Sequence, residues 1–410
     1  MKVTLKRIGL IFLICYILIT CYTGYQFVQK LLKSELGNQQ KILDKLTEVD
    51  EDWNPWGEEF EGADPNEDIL KFDEGDEEDE VKSNGKTVEI WSKSALGIYL
   101  WEHILNASLV TRYRGIEKFG TTKINGITYR MRLGLGMFQS RKDLDATHLI
   151  LVLNGSDAKK IRVSTVILNS LKLFNRLERV GVILLGNEKC ENEWFEPFLK
   201  RNGGPIDVAW IVYDSELVDD KTVFQFPLGV SMHNYFKTSF KSTLDIRRPF
   251  TCNLVGTDED DIYNLLSSKK ECFVQPKIAE RYESNSITRS AYIRALRTSD
   301  LTLCPAEKNL ETFRIYEALS YGSIPILNIK PKEEKSKCNG SLRLLKRYNF
   351  PAIFVKDWNK DVERILHKEK FLSSQDIVIR RINAFEWYLS FKRKIMQEFL
   401  GIIENTFFSH

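Results

Sequence analysis

Arg314 and Glu317 stand three residues apart in FRIYEALSYG (313–322), a run whose other members are apolar, aromatic or small. On a helix that spacing puts the guanidinium and the carboxylate on one face. The pair has two possible uses. As a solvated ion pair it contributes about 0.3–0.5 kcal/mol. As a ligand grip, the carboxylate accepts from the two hydroxyls of a ribose. The guanidinium then pairs with a diphosphate and stabilises charge on the phosphate that leaves. Spacing alone favours the ion pair, so the decision falls to the elements that carry the two residues.

LTLCP (301–305) reads as a strand, AEKNLE as a loop, 309–322 as a helix and SIPIL (323–327) as the next strand. Asn309 suits the N-cap and Gly322 the helix stop, while Phe313 and Tyr316 are assigned to packing. Ligands bind outside the carboxyl ends of strands in open parallel sheets, which is where this helix starts. FTCNLVGT (250–257) is a strand running into a turn, so Gly256 and Thr257 are placed on a diphosphate-facing loop.

The same alternation recurs upstream. KTVEIWS (86–92), HLILVLNG (148–155), VGVILLGNE (180–188) and DVAWIVYD (207–214) read as strands, with helical spacing at 95–105, 161–177 and 195–204. Short continuous apolar strands separated by helices belong to a parallel sheet covered on both faces. Glu188 and Asp214 each end such a strand, with a loop carboxylate and a turn cap as their competing roles. Lys159, Lys160 and Arg162 follow the LNG strand end and suit either an acceptor phosphate or a solvated helix start. The second series continues with helices at 258–268 and 290–300, strands at 272–274 and 352–358, and a largely helical 360–407. Two α/β series predict two Rossmann-like domains facing a cleft, at 86–235 and 249–385, with a C-terminal helix at 386–410.

LCPAEKNLETFRIYEALSYGSIPIL resembles the donor-site motif of exostosin-like glycosyltransferases: a strand ending in Cys-Pro, a Ser/Thr-Phe-Arg-x-Tyr-Glu-Ala-Leu helix, then Gly-x-Ile-Pro. Thr312, Phe313, Arg314, Tyr316, Glu317, Ala318, Gly322, Ile324 and Pro325 all match. The resemblance implies a GT-B type α/β fold and a UDP-sugar donor, with Arg314 and Glu317 in the donor site and Thr312 as support. The segments SKSALGIYLWEHIL, LLGNEKCENEWFEPFLKRNGG, VFQFPLGV, CNLVGT and SDLTLCP extend it to one branch of the family. That branch implies transfer of xylose from UDP-xylose to ribitol 5-phosphate on the O-mannosyl glycan of α-dystroglycan. An α-linked donor and a β1,4 product mean inversion, which needs one general base. Glu188 and Asp214 are the candidates for it, with Glu102 and His103 as outsiders. The motif is shared across donors, so another UDP-sugar remains open, as does a non-catalytic Golgi scaffold.

No CxxC or His-rich spacing marks a metal site. The acidic runs Asp258–Asp261 and Asp219-Asp220 do not follow a strand in the manner of a metal-binding DxD, so no catalytic metal is expected. No basic-aromatic pattern indicates nucleic acid. Charge is unevenly spread. Residues 51–80 hold 15 Asp or Glu against Lys71 alone, a local −14 in a chain of net +2, so the remainder carries +16 and suits anionic substrates. That acidic run and its flanks (29–85) read as a stem, with an aromatic WNPW at 53–56. Ile8 to Val28 is free of charge and preceded by Lys2, Lys6 and Arg7 (tail 1–7), which predicts an uncleaved transmembrane signal anchor at 8–28. The expected setting is therefore a single-pass type II protein of the Golgi membrane, its catalytic part lumenal beside other enzymes of the same glycan pathway. Sequons at Asn106, Asn154 and Asn339 fit that side. So do Cys190, Cys252, Cys272, Cys304 and Cys338, which allow at most two bridges.

Overall fold

The computed structural model describes residues 85–409 apart from 93, 113–116, 135–145, 175, 232–243, 245, 257–259, 276–285, 307 and 330–341. Ile8–Val28, the acidic stem with WNPW, Thr257, Cys338 and Asn339 lie outside the described residues. Among the described residues no helix is long and apolar enough to cross a membrane. The expected single-pass type II placement in the Golgi membrane rested on such a helix at 8–28, and the described residues supply none.

The fold is α/β with two sheets. The first has eight strands: β1 (Thr87–Ser92), β2 (Val110–Arg112), β3 (Glu117–Ile124), β4 (Ile127–Leu133), β5 (His148–Asn154), β6 (Arg179–Leu185), β7 (Val208–Val212) and β8 (Val223–Phe226). Their spatial order is β2-β3-β4-β1-β5-β6-β7-β8. From β4 to β8 every pairing is parallel. The expected apolar strands are there for the expected reason: the interiors of β5 and β6 and the whole of β7 are buried. Each fully buried Leu, Ile or Val contributes about 1.5–3 kcal/mol.

The antiparallel flank β2-β3-β4 was not anticipated. Its turn was legible, because Asn125 and Gly126 take left-handed φ of 50° and 80° between Ile124 and Ile127. Asn-Gly between apolar residues is the strongest short hairpin signal.

The second sheet comprises β9 (Phe250–Val255), β10 (Cys272–Gln275), β11 (Ser299–Cys304), β12 (Ile324–Asn328) and β13 (Ile353–Val355), ordered β10-β9-β11-β12-β13 and wholly parallel. Cys252 and Cys272, opposite each other on β9 and β10, are disulfide-bonded. Cys190 is also disulfide-bonded, and Cys304 is a buried free thiol. Of the described sequons, Asn106 is exposed, whereas the Asn154 side chain accepts from the Ser156 amide at 2.9 Å.

One helix, Ser374–Phe408, runs 35 residues without a break across the expected boundary at 385/386. At 1.5 Å per residue it is about 50 Å long. Phe391 packs on Tyr316 behind the second sheet, with ring centroids 6.1 Å apart. Phe399 packs on Trp210 of β7 at 4.8 Å, so the same helix serves both sheets.

Candidate active site

The chain leaves β9 for β10 on one side and returns to β11 on the other, which makes the crevice between β9 and β11 the switch point of the second sheet. Ligands of open α/β sheets bind at such points, outside the carboxyl ends. Gly256 follows β9 with a left-handed φ of 65°, and its amide bonds Gln275 O at 3.0 Å. Arg314 reaches into the same crevice and donates from Nη2 to Gly256 O at 3.3 Å. The helix that carries it, Phe313–Ser320, is shorter than expected. Its N-cap is Thr312, not Asn309; the Asn309 side chain instead accepts from the Glu311 amide at 2.9 Å. Thr312 Oγ1 is buried and has no hydrogen-bond partner among the described residues. Phe313, assigned to packing, is 41% exposed beside Arg314 because it opens the helix rather than facing its interior. Gly322 ends the helix as expected, with φ 68°.

Glu317 shares the helix with Arg314 but not its surroundings. It is 2% exposed. Oε1 accepts from the Ser231 amide at 3.0 Å and Oε2 from the Tyr292 hydroxyl at 2.5 Å. Burial, then the neighbouring Glu317 charge, raises the Tyr292 hydroxyl well above its ordinary value, so it stays a donor. An ionised carboxylate offers about four acceptor positions, of which these bonds use at least two. Burial pushes the Cys304 thiol beneath the site up to about 12, which keeps it neutral.

A second glutamate, Glu311, also 2% exposed, accepts from the Tyr316 hydroxyl and from the Leu228 amide at 3.2 Å. Burial raises its carboxyl above the usual range, although both hydrogen bonds oppose the shift. Tyr316 is held as a donor by the same burial.

The strand ends of the first sheet meet this region at three places. Glu188, after β6, has a side chain 37% exposed with Lys308 Nζ at 3.7 Å, and its carbonyl accepts from Asn309 Nδ2 at 2.8 Å. Asp214, after β7, is 5% exposed and lies 3.6 Å from Arg343 Nη1. The segment after β8 supplies the Leu228 and Ser231 amides to Glu311 and Glu317. Arg343 and Arg347 also pair with Asp220, at 3.5 and 2.8 Å.

Other sequence candidates are apart from this region. Lys159 and Lys160 donate their amides to Asp157, the cap of the Ala158–Ser170 helix, and Lys159 and Arg162 are exposed. Glu102 and His103 lie on a π-helical stretch, Tyr99–Ile104, where burial lowers the His103 imidazole to about 4. Asp219 caps the 221–223 turn through three amides. Among the described residues, no group of three or more His, Cys, Asp or Glu is placed to hold a metal ion.

Sequence reasoning gave no role to Glu311, Tyr292, Arg343 or the 228–231 amides. Glu311 precedes the helix motif and was open to notice. Its partner lies 83 residues away, and no local pattern announces that contact.

Comparison with known proteins gives a consistent result. The family description RXYLT1 N-terminal domain matches residues 88–227, and RXYLT1 C-terminal domain matches 233–408. Ribitol-5-phosphate xylosyltransferase 1 of Danio rerio is 34% identical, covering 98% of each chain. The Homo sapiens protein of that name is 33% identical over 99% of each, and that of Mus musculus 33% over 92% of this chain and 87% of its own. Among solved structures, an alpha1,3-fucosyltransferase aligns with 77% of this chain and 92% of its own at TM-score 0.38, with 11% identity. A GtfA/B complex chain aligns with 73% and 70% at TM-score 0.39, also with 11% identity. At that level the structural likenesses carry no argument.

Proposed function

From the premise that this chain belongs to the RXYLT1 family, we infer that it is a xylosyltransferase acting on ribitol phosphate. The observation that carries the reading is 33–34% identity to proteins named for that activity over essentially the whole chain. A xylosyltransferase of this kind uses a UDP-xylose donor.

The donor is assigned to the β9–β11 crevice. Glu317 takes the ribose hydroxyls and Arg314 the diphosphate, supported by Thr312 and by the turn at Gly256 and Thr257. The position of Arg314 over Gly256 O at the switch point supports this assignment. The three meetings between strand ends of the first sheet and residues 309–343 support a GT-B reading. In it, an acceptor lobe at 86–235 and a donor lobe at 249–385 present their carboxyl edges to one cleft.

Inversion requires a base that removes the proton from the ribitol hydroxyl as its oxygen attacks the anomeric carbon opposite the departing UDP. Arg314 stabilises the charge that collects on that leaving group. Of the two candidate bases, Glu188 is the better placed. It is half-exposed beside the loop that leads into the donor helix, whereas Asp214 is buried against Arg343. The acceptor assigned is ribitol 5-phosphate of the α-dystroglycan O-mannosyl glycan.

The test is a donor screen with purified protein and a ribitol 5-phosphate acceptor, offering UDP-xylose, UDP-glucuronate, UDP-galactose and UDP-N-acetylglucosamine. Transfer from UDP-xylose is expected; transfer from UDP-glucuronate without transfer from UDP-xylose overturns the reading.

A further inference from the structure

We propose that Glu311 is a positioning residue for the transfer reaction. With Glu317 it fastens the helix that carries Arg314 to the strand end of the facing sheet, so that the distance across the cleft is set by two buried carboxylates. The inference deepens the donor-site reading above and rests on it.

The contacts form a two-rung ladder. Glu311 accepts from the Leu228 amide at 3.2 Å, and Glu317 accepts from the Ser231 amide at 3.0 Å. Residues 228–231 leave β8, the edge strand of the first sheet, at its carboxyl end. Residues 311–317 leave β11 at the carboxyl end of the second. Between the rungs Gly229 has φ 76°, and a Cβ there would come within 2.2 Å of the Tyr99 ring, so the backbone lies flat against the core. Both ends of each rung are covered: Leu228 and both glutamates are buried, and Ser231 is half-buried.

Glu311 belongs to neither the donor motif nor its ligand-facing side. Its two bonds go to Leu228 and to Tyr316, a fully buried member of the motif helix. Tyr316 is thereby explained: its hydroxyl holds the carboxylate that holds the opposite lobe. Both bonds land on Oε1, so a glutamine whose carbonyl oxygen takes that place can accept from Leu228 and from Tyr316 alike. Alanine can do neither, and leaves a buried amide and a buried hydroxyl without partners.

A misplacement of about 1 Å away from the chemistry can cost a hundredfold in rate, so loss of one rung is expected in kcat and in acceptor KM rather than in donor affinity. The experiment compares Glu311→Ala, Glu311→Gln and Tyr316→Phe in the full chain. It measures UDP affinity by calorimetry, and kcat and KM with UDP-xylose and a ribitol 5-phosphate acceptor.

Glu311→Ala is expected to keep UDP affinity within about twofold while kcat falls at least about tenfold; Glu311→Gln is expected to recover most of the rate, and Tyr316→Phe to fall between them. If Glu311→Ala does not fold, the decision passes to Tyr316→Phe, which removes one donor and opens no large cavity. Wild-type rates in a folded Glu311→Ala or in Tyr316→Phe overturn the proposal. So does a loss of UDP affinity that matches the loss of rate. Failure of the wild-type protein to bind UDP refutes the donor-site reading instead.

Discussion

Arg314 and Glu317 are neighbours on one helix face, yet one is half-buried over the Gly256 carbonyl and the other is buried, accepting from Ser231 and Tyr292. A three-residue spacing specifies a shared face and nothing about depth. Depth came from the neighbours, and it separates what each residue can do. The same holds for the two candidate bases. Glu188 and Asp214 both end a parallel strand, but Asp214 is buried with the half-exposed Arg343 at 3.6 Å, while Glu188 meets Lys308 at the surface. Glu188→Gln should therefore lower kcat by about 10²–10⁴-fold with UDP affinity retained, the range expected when a general base is removed. Asp214→Asn should act mainly on stability. Steady-state rates measured beside melting curves separate the two. A larger rate loss in a folded Asp214→Asn would reverse the assignment.

At the scale of elements, the turn after β8 shows how local geometry is enforced from outside. Gly229 and Gly203 both have left-handed φ, 76° and 85°. Alanine in that conformation costs roughly 1–2 kcal/mol wherever it occurs. At Gly203 nothing lies within 4 Å of a new Cβ, whereas at Gly229 the Tyr99 ring stands at 2.2 Å. Overpacking of this kind adds about 1–3 kcal/mol. Gly229→Ala is thus expected to lower stability to chemical denaturation by distinctly more than Gly203→Ala, and to reduce transfer activity, which Gly203→Ala should leave alone. Equal losses in the two variants would show that backbone strain alone matters at 229. The π-helical stretch Tyr99–Ile104, which holds that ring, reads in sequence as an ordinary amphipathic helix, since i to i+5 bonding has no signature of its own at six residues.

Across the whole molecule, two buried arginines tie the connection between the sheets to the second of them. Arg381, on the 35-residue helix, pairs with Asp300 and donates to Leu244 O at 3.0 Å and Ile246 O at 2.8 Å. Arg248 donates to Ser299 O at 2.6 Å and Tyr321 O at 2.5 Å. Burial, then the like charge of Arg381, lowers Arg248 to about 10, so it remains a cation at neutral pH. Breaking a buried pair by removing one partner costs about 3–5 kcal/mol, because the other charge stays behind. Arg381→Met is expected to lose that much in urea titration, together with activity. A cost below about 1 kcal/mol would place Asp300 within reach of water.

Sequence by itself determined most of the parallel strands, though not β4 or β8, several of the helices between them, though 195–204 is two short 3-10 turns, and the helix with its Thr312, Arg314, Glu317 and Gly322. All of these depend on periodicity, apolar runs and motif spacing within a few tens of residues. It also offered the Asn125-Gly126 hairpin signal, which was there to be used. Only the tertiary structure decided that Glu317 is buried, that Thr312 rather than Asn309 opens the helix, and that Phe313 stands exposed. It alone revealed Glu311 against Leu228 and Arg343 against Asp214. Those contacts join residues separated by 83 and more positions, and their energies come from desolvation and hydrogen-bond satisfaction. Neither quantity exists until the two sheets have been brought together.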